Sequence, residues 1–216
     1  MTNEGETRLR ADARRNRDRI LAAAKASFAT HGPETPAEEI ARAAGVAPGT
    51  LYRHFADREA LFLAVAQNNL DHALVEARAA VAEEPSAWDA LVRILRQSHE
   101  LRLSIRLVLA YPAVHEIMKE RKTGKLRRTM IELLDGVVRK AQAEGSLRED
   151  VGAGDVAVMF ALLAHPLLIM RGDVAQLASE RCMELMLESL RAGSAARLPG
   201  RPITPSDIGV GPEDCS

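Results

Sequence analysis

The stretch Gly45-Val-Ala-Pro-Gly-Thr-Leu-Tyr-Arg-His-Phe55, directly preceded by Thr35-Pro-Ala-Glu-Glu-Ile-Ala-Arg-Ala-Ala44, decides the fold. Thr35 and Glu38 have capping-box spacing, and Pro36 suits the first helical position, where a missing N–H costs nothing. Ile40, Ala41 and Ala44 then mark one small apolar helix face. Gly45 ends that helix and permits the positive φ of a tight turn. Val46 can plug the space between this helix and the next. Pro48 opens a second helix with its φ already set, and Leu51 and Phe55 lie one turn apart on its inner face. Pro48, Gly49, Thr50, Tyr52, Arg53 and His54 are left on or near the outer face. Two short helices joined at a glycine, the second showing small, hydroxyl, aromatic and cationic groups, describe a helix-turn-helix.

A helix of this kind fits the major groove, where base edges carry a distinguishable donor and acceptor code. Gly49 lowers helix propensity but lets the backbone approach DNA closely. Thr50 and His54 suit phosphate oxygens, and Tyr52 offers a ring face plus a hydroxyl. The competing reading is a generic pair of packed helices with a solvated polar face. The order of cap, turn, apolar spacing and groove-facing chemistry favours double-stranded DNA as partner.

Gly45-Val46, Gly49-Thr50-Leu51-Tyr52, His54-Phe55, Arg58-Glu59 and Leu61 together resemble the signature of the tetracycline-repressor (TetR) family. Ile20-Leu-Ala-Ala-Ala and Phe28-Ala-x-x-Gly32 resemble its first helix. The likeness is specific over residues 14–62 and only architectural beyond them. It implies major-groove contacts from Pro48, Gly49, Tyr52 and Arg53, and phosphate contacts from Thr50, His54 and Arg58. One departure matters. Ala47 stands where the family often has Ser or Thr as N-cap of the recognition helix, and Ala caps less well by about 1 kcal/mol. That predicts a recognition helix less firmly held without DNA.

The 216 residues suffice for one substantial core or two modest domains, and 47% hydrophobic with 27% charged content is that of an ordinary globular protein. Aromatics make up only 3%, so Leu, Ala, Val, Ile and Met must build the core. A net charge of −1 argues against a nonspecific polycation without excluding DNA binding. Distribution matters more. Arg8, Arg10, Arg14, Arg15, Arg17 and Arg19 gather ahead of the helix-turn-helix, opposed locally by Asp12 and Asp18. For Arg8 and Arg10 a solvated charge run is the alternative. Cys182 and Cys215 do not suggest a disulfide framework, and a reduced, cytoplasmic setting fits. The start of the chain lacks the apolar core of a signal peptide. The longest uncharged apolar run, Val156 to Met170, contains His165 and Pro166, so no membrane partner is expected.

These signals predict an all-α chain: an N-terminal three-helix helix-turn-helix DNA-binding domain, then a helical ligand-binding and dimerisation domain. Residues 1–13 read as a flexible basic arm, 14–57 as the DNA-binding domain, 58–193 as the regulatory and dimerisation domain, and 194–216 as a disordered tail. Helix 1 should run from about Ala13 to Thr30. Asp57 should cap a fourth helix reaching about Glu83, with Arg58 in its first turn well placed for a phosphate. Ser86-x-x-Asp89 should open a fifth, continuing to about Ala110, where Tyr111-Pro112 forces a break. A short helix over about 113–121, a longer one over 125–144, and two last helices over 155–170 and 174–192 complete the reading. The last two are too apolar for one buried face each. Val156, Met159, Phe160, Leu163, Leu167 and Met170, with Leu177, Met183, Met186, Leu187 and Leu190, predict a two-fold four-helix interface in a homodimer.

His99, Arg102 and Arg106 follow Leu95 at alternating four- and three-residue spacing and share a helix stripe. In the architecture the resemblance implies, this helix lines the ligand cavity. The stripe would then favour a carboxylate or phosphate on the ligand. Alternatively it faces solvent, as Arg93, Arg96 and Glu100 do. Pro166 should kink its helix, and His165 either touches a ligand or bonds the carbonyl that the kink frees. Trp88, Tyr111 and Phe160 are the few aromatics available to a pocket. His99, His115 and His165 lack ligand-type spacing and patterned carboxylates, so neither metal nor cofactor is expected. No G-x-S-x-G, Walker A, G-x-G-x-x-G or H-E-x-x-H occurs, and an enzyme is not expected. The expectation is a ligand-responsive transcriptional repressor, bound as a homodimer to a palindromic operator and released by a small, largely apolar effector. The alternative is a helical DNA-binding or interaction protein controlled by a protein partner.

Overall fold

The computed structural model describes residues 3–32, 34–97, 101–105, 121–164, 172–193 and 196–209. Its helices are α1 (Asn3–His31), α2 (Ala37–Ala43), α3 (Pro48–His54), α4 (Arg58–Glu83), α5 (Ala87–Gln97), α6 (Arg121–Ala143), α7 (Ala153–Ala164) and α8 (Gly172–Leu190), with a 3-10 turn at Pro205–Ile208. Residues 101–105 are also helical. Among the described residues the sole β feature is an isolated antiparallel bridge between Leu147 and Arg191, and no helix is long and apolar enough to cross a membrane. The fold is all-α. The described residues divide into two compact units at Asn68/Asn69, inside α4 rather than at its start.

In the first unit Ile20, Ala24 and Phe28 of α1 are buried with Ile40 and Ala41 of α2, Leu51 of α3, and Leu61, Phe62 and Val65 of α4. The Phe28 and Phe62 rings stack at 4.7 Å between centroids. α1 begins about ten residues before the expected start, so the arm is helical from Asn3 onward. Its Arg, Ala and Leu are good helix formers, and Asp12 pairs with Arg15 one turn on. The expected capping box of α2 is not made. Pro36 is the N-cap, and Thr35 Oγ1 donates instead to the Gly32 carbonyl at 2.9 Å. Starting the helix one residue late leaves Thr35 outside it. The C-terminal stop behaves as read: Gly45 has φ +63° and its N–H reaches Arg42 O, while Val46 N–H reaches Ala41 O, both at 3.0 Å.

The second unit packs α5 against α6 and α6 against α7, with Leu91, Leu95, Val138, Ala141, Leu147, Val156, Met186 and Leu190 in its core. Here the capping reading holds. Ser86 Oγ accepts from Asp89 N–H at 3.0 Å and donates to the Asp89 carboxylate at 2.6 Å. α6 starts at Arg121, ahead of the expected Lys125. Leu187, Met183, Met186, Leu190, Val156 and Phe160, assigned from sequence to a dimer interface, are instead core. The exposed apolar side chains of these helices are Val158 and Leu162 on α7, and Val174, Leu177 and Leu185 on α8.

The described part of the tail is not disordered but docked. Ile203 O accepts from Gly154 N–H at 3.0 Å, and Asp155 Oδ2 accepts from Gly152 N–H at 2.8 Å and Ile203 N–H at 3.0 Å. A Cβ at Gly154 would lie 2.5 Å from both the Ile203 oxygen and its Cγ2, so the strap needs glycine there. Arg148 holds the Asp150 carboxylate at 2.6 and 2.9 Å, and Leu198 N–H donates to the same carboxylate at 2.7 Å. These donors hold Asp150 well below the usual carboxylate range. Arg201 and Thr204 do the same to Asp207. Arg127 of α6 closes the far end on Ile208 O.

Candidate nucleic-acid interface

α3 is short, and its placement rests on two buried side chains, Leu51 and Phe55. Ala47 is its N-cap in extended conformation without a side-chain cap bond, and Pro48 takes the first helical position. The Ala47 carbonyl accepts from Thr50 N–H at 2.8 Å and Leu51 N–H at 3.3 Å. The start of α3 is thus held by backbone bonds and buried side chains, without a side-chain cap. With those two residues inward, Pro48, Gly49, Tyr52 and Arg53 are exposed, and Thr50, His54 and Arg58 are half-buried. Tyr52 is a large aromatic left 47% exposed. A Cβ at Gly49 would meet nothing within 4 Å. Packing within the chain therefore does not demand glycine there, and the bare backbone is open to an external partner.

Cations flank this face. Arg53 folds back along α3, with Nη2 donating to Thr50 Oγ1 at 2.9 Å and Nε to Gly49 O at 3.3 Å. Arg19 Nη2 donates to the Gly45 carbonyl at 3.1 Å and ties α1 to the turn. The Arg17 guanidinium lies 4.8 Å from the Phe55 ring centroid, and that of Arg58 lies 5.4 Å from Phe62. Asp57 caps α4 as expected, accepting from Ala60 N–H at 2.7 Å, and so fixes the turn that carries Arg58. Six of the seven residues expected at DNA thus lie on α3, and the seventh, Arg58, opens α4.

Of the residues expected at a ligand, Trp88, Arg102 and Phe160 are described. Trp88 and Phe160 are core side chains, with the Arg191 guanidinium 4.6 Å from the Trp88 ring centroid. Arg102 is half-buried, and its burial pulls the guanidinium below its ordinary pKa. His99, Arg106, Tyr111 and His165 lie outside the described residues. A cavity of about 480 Å³ in the second unit has His72, Val75, Glu76, Arg93, Ile94 and Gln97 among its lining residues, and none of the expected ones. Sequence reasoning missed two polar groups. Asn69 and Ser104 are buried, and neither their amide nor hydroxyl atoms have a hydrogen-bond partner. For Asn69 a signal existed: it falls in the register Phe62, Val65, Ala66, Leu70, Ala73, the apolar face of α4. Among the described residues no group of His, Cys, Asp and Glu could hold a metal ion.

Residues 20–65 match the family described as bacterial regulatory proteins, tetR family. Over 96 residues the chain is 33% identical to the HTH-type transcriptional repressor AcnR of Corynebacterium efficiens, covering 40% of this chain. It thus spans about half the length (51%) of that relative. Its likeness to AcnR of Corynebacterium diphtheriae is 29% over 199 residues, covering 82% of this chain and 92% of that one. A crystal structure of a TetR transcriptional regulator from Streptomyces coelicolor superposes with a TM-score of 0.62 at 30% identity, over 82% of this chain and 99% of that one.

Proposed function

Because the chain belongs to the tetR family of bacterial regulatory proteins, DNA-binding transcription regulators rather than enzymes, we propose a ligand-responsive repressor that binds a palindromic operator as a homodimer. The observation that carries the reading is α3, with Leu51 and Phe55 buried and Gly49 and Tyr52 open. Tyr52, Arg53 and the backbone at Pro48 and Gly49 enter the major groove; Thr50, His54 and Arg58 meet phosphates. Val158, Leu162, Val174, Leu177 and Leu185 support the dimer, because a second copy is the simplest cover for an apolar face spread over two helices. α4 contributes to both units, so an effector preferring one arrangement of α4 shifts operator affinity by its differential binding.

The effector is small and largely apolar, with at most one anionic group. Desolvated Arg102 suits that group, and unpartnered Asn69 and Ser104 suit neutral hydrogen-bonding atoms. A gel shift on the promoter beside its own gene tests the DNA reading, and a screen for small acids that release the complex tests the effector. Arg102→Met keeps approximate length while removing charge, so it should retain operator binding and lose release by such an acid. Release of wild type and variant at equal concentrations would overturn the role of Arg102. Release only by a purified protein would favour control by a protein partner.

A further inference from the structure

We propose that the N-terminal half of α1 is a second DNA contact, which follows the phosphate backbone beyond the base pairs read by α3. It rests on the DNA-binding reading above. The buried stripe of α1 begins only at Ile20 and continues through Leu21, Ala24 and Phe28. Residues 3–19 precede it and extend the helix by about 25 Å. Among residues 8 and 10–19 no side chain is buried, and Arg8, Arg10, Arg14, Arg15, Arg17 and Arg19 are all exposed. A helical stretch with no buried side chain at residues 8 and 10–19 gains little from packing there, so its function lies in what its surface meets.

The arginines divide into two stripes. Arg8, Arg15 and Arg19 share one with Asp12; Arg15 pairs with Asp12, and Arg19 is bonded to the Gly45 carbonyl. Arg10, Arg14 and Arg17 occupy the other at i, i+4 and i+7, with Asp18 on its flank. Arg17 anchors this second stripe beside the reading helix, because its guanidinium lies over Phe55, the residue that ends α3. From there Arg14 and Arg10 lead away along α1 for about 10 Å. Three cations in a row, starting where α3 stops, complement a duplex that carries about one negative charge per 1.7 Å of its axis. A helix presents them in fixed register, whereas a disordered arm would have to be ordered on binding.

The contact is read by hydroxyl-radical footprinting and by the salt dependence of binding, with the full chain and the promoter duplex from the gel shift. Arg10→Ala/Arg14→Ala should flatten the slope of log affinity against log salt by about 1.8, the loss of two phosphate contacts at about 0.9 each. It should also lose only the outermost sugar-phosphate protections while keeping the rank order of operator variants. Arg10→Lys/Arg14→Lys should restore the slope, which separates charge from helix structure. A double alanine variant with wild-type slope and footprint, while wild type binds its operator, would overturn this contact and leave the operator reading intact. Wild type that binds no duplex would overturn both.

Discussion

Asn69 is 0% exposed, and neither atom of its amide is hydrogen-bonded, an arrangement that costs about 1–3 kcal/mol if nothing else engages it. Asn69→Leu has similar volume and removes the cost. Its expected result is a melting temperature raised by about 2–4 °C in a thermal scan. A lowered value would mean that a bound molecule satisfies the amide in solution. The two kinds of DNA contact proposed for Tyr52 on α3 and Arg58 at the start of α4 separate experimentally. Tyr52→Ala should weaken binding and blur sequence preference, whereas Arg58→Ala should weaken binding to every sequence and flatten the salt slope by about 0.9. Loss of affinity in both without change in preference or slope would displace the recognition helix from the groove. Residue-level reading worked where local spacing decides the outcome, as for Leu51 and Phe55 inward and Asp57 at a cap. It failed at Thr35, because a threonine hydroxyl before proline can satisfy the preceding turn as readily as the helix after it.

At the scale of elements, α1 and the tail depart most from expectation. Residues 1–13 read as flexible because they are polar and charge-rich, yet helix propensity needs no apolar face to extend an established helix. The tail reads as disordered because Pro199, Pro202 and Pro205 exclude regular structure. What holds it lies about fifty residues away in Arg148, Asp150, Gly154 and Asp155, and no local period announces such contacts. Gly154→Val should release the strap. The expected signature is rapid hydrogen exchange and proteolysis over 196–209, with the exchange of α5 and α6 preserved. Slow exchange at Ile203 in that variant would contradict the cradle. Acid gives a second test. Asp150 and Asp207 have pKa values lowered by folding, so their contribution is fully present above the ordinary carboxylate value of 3.8 and is lost as pH falls below it. Strap protection should therefore stay constant from neutrality down to about pH 5 and fail only in stronger acid. Loss near pH 6 would point to a histidine instead.

For the molecule as a whole, the helix-turn-helix was legible because its glycine turn and inner apolar pair lie within residues 45–55. The proposed self-association face was legible only as a surplus of apolar residues. α7 reads Ala-Gly-Asp-Val-Ala-Val-Met-Phe-Ala-Leu-Leu-Ala, apolar on nearly every side, so sequence alone cannot say which side the core claims. Packing assigns Val156 and Phe160 to the core and leaves Val158 and Leu162 outside; on α8 it takes Met183 and Leu187 and leaves Leu177 and Leu185. The distinction alters the decisive experiment. Glutamate at Leu187, which is 3% exposed, would bury a charge and unfold the unit, and so could not report on assembly. Leu162 and Leu177 are 69% and 55% exposed, so Leu162→Glu/Leu177→Glu should leave helicity and melting of the isolated chain intact. Wild type should sediment as a dimer at micromolar concentration and the variant as a monomer. A monomer engages one half-site at a time and forfeits the effective concentration that linkage supplies, so operator affinity should fall by about a hundredfold or more. The same variant should bind an isolated half-site as wild type does, because α3 is untouched. A variant that remains dimeric would move the interface elsewhere, and a monomeric variant with undiminished operator affinity would remove the need for two-fold recognition altogether.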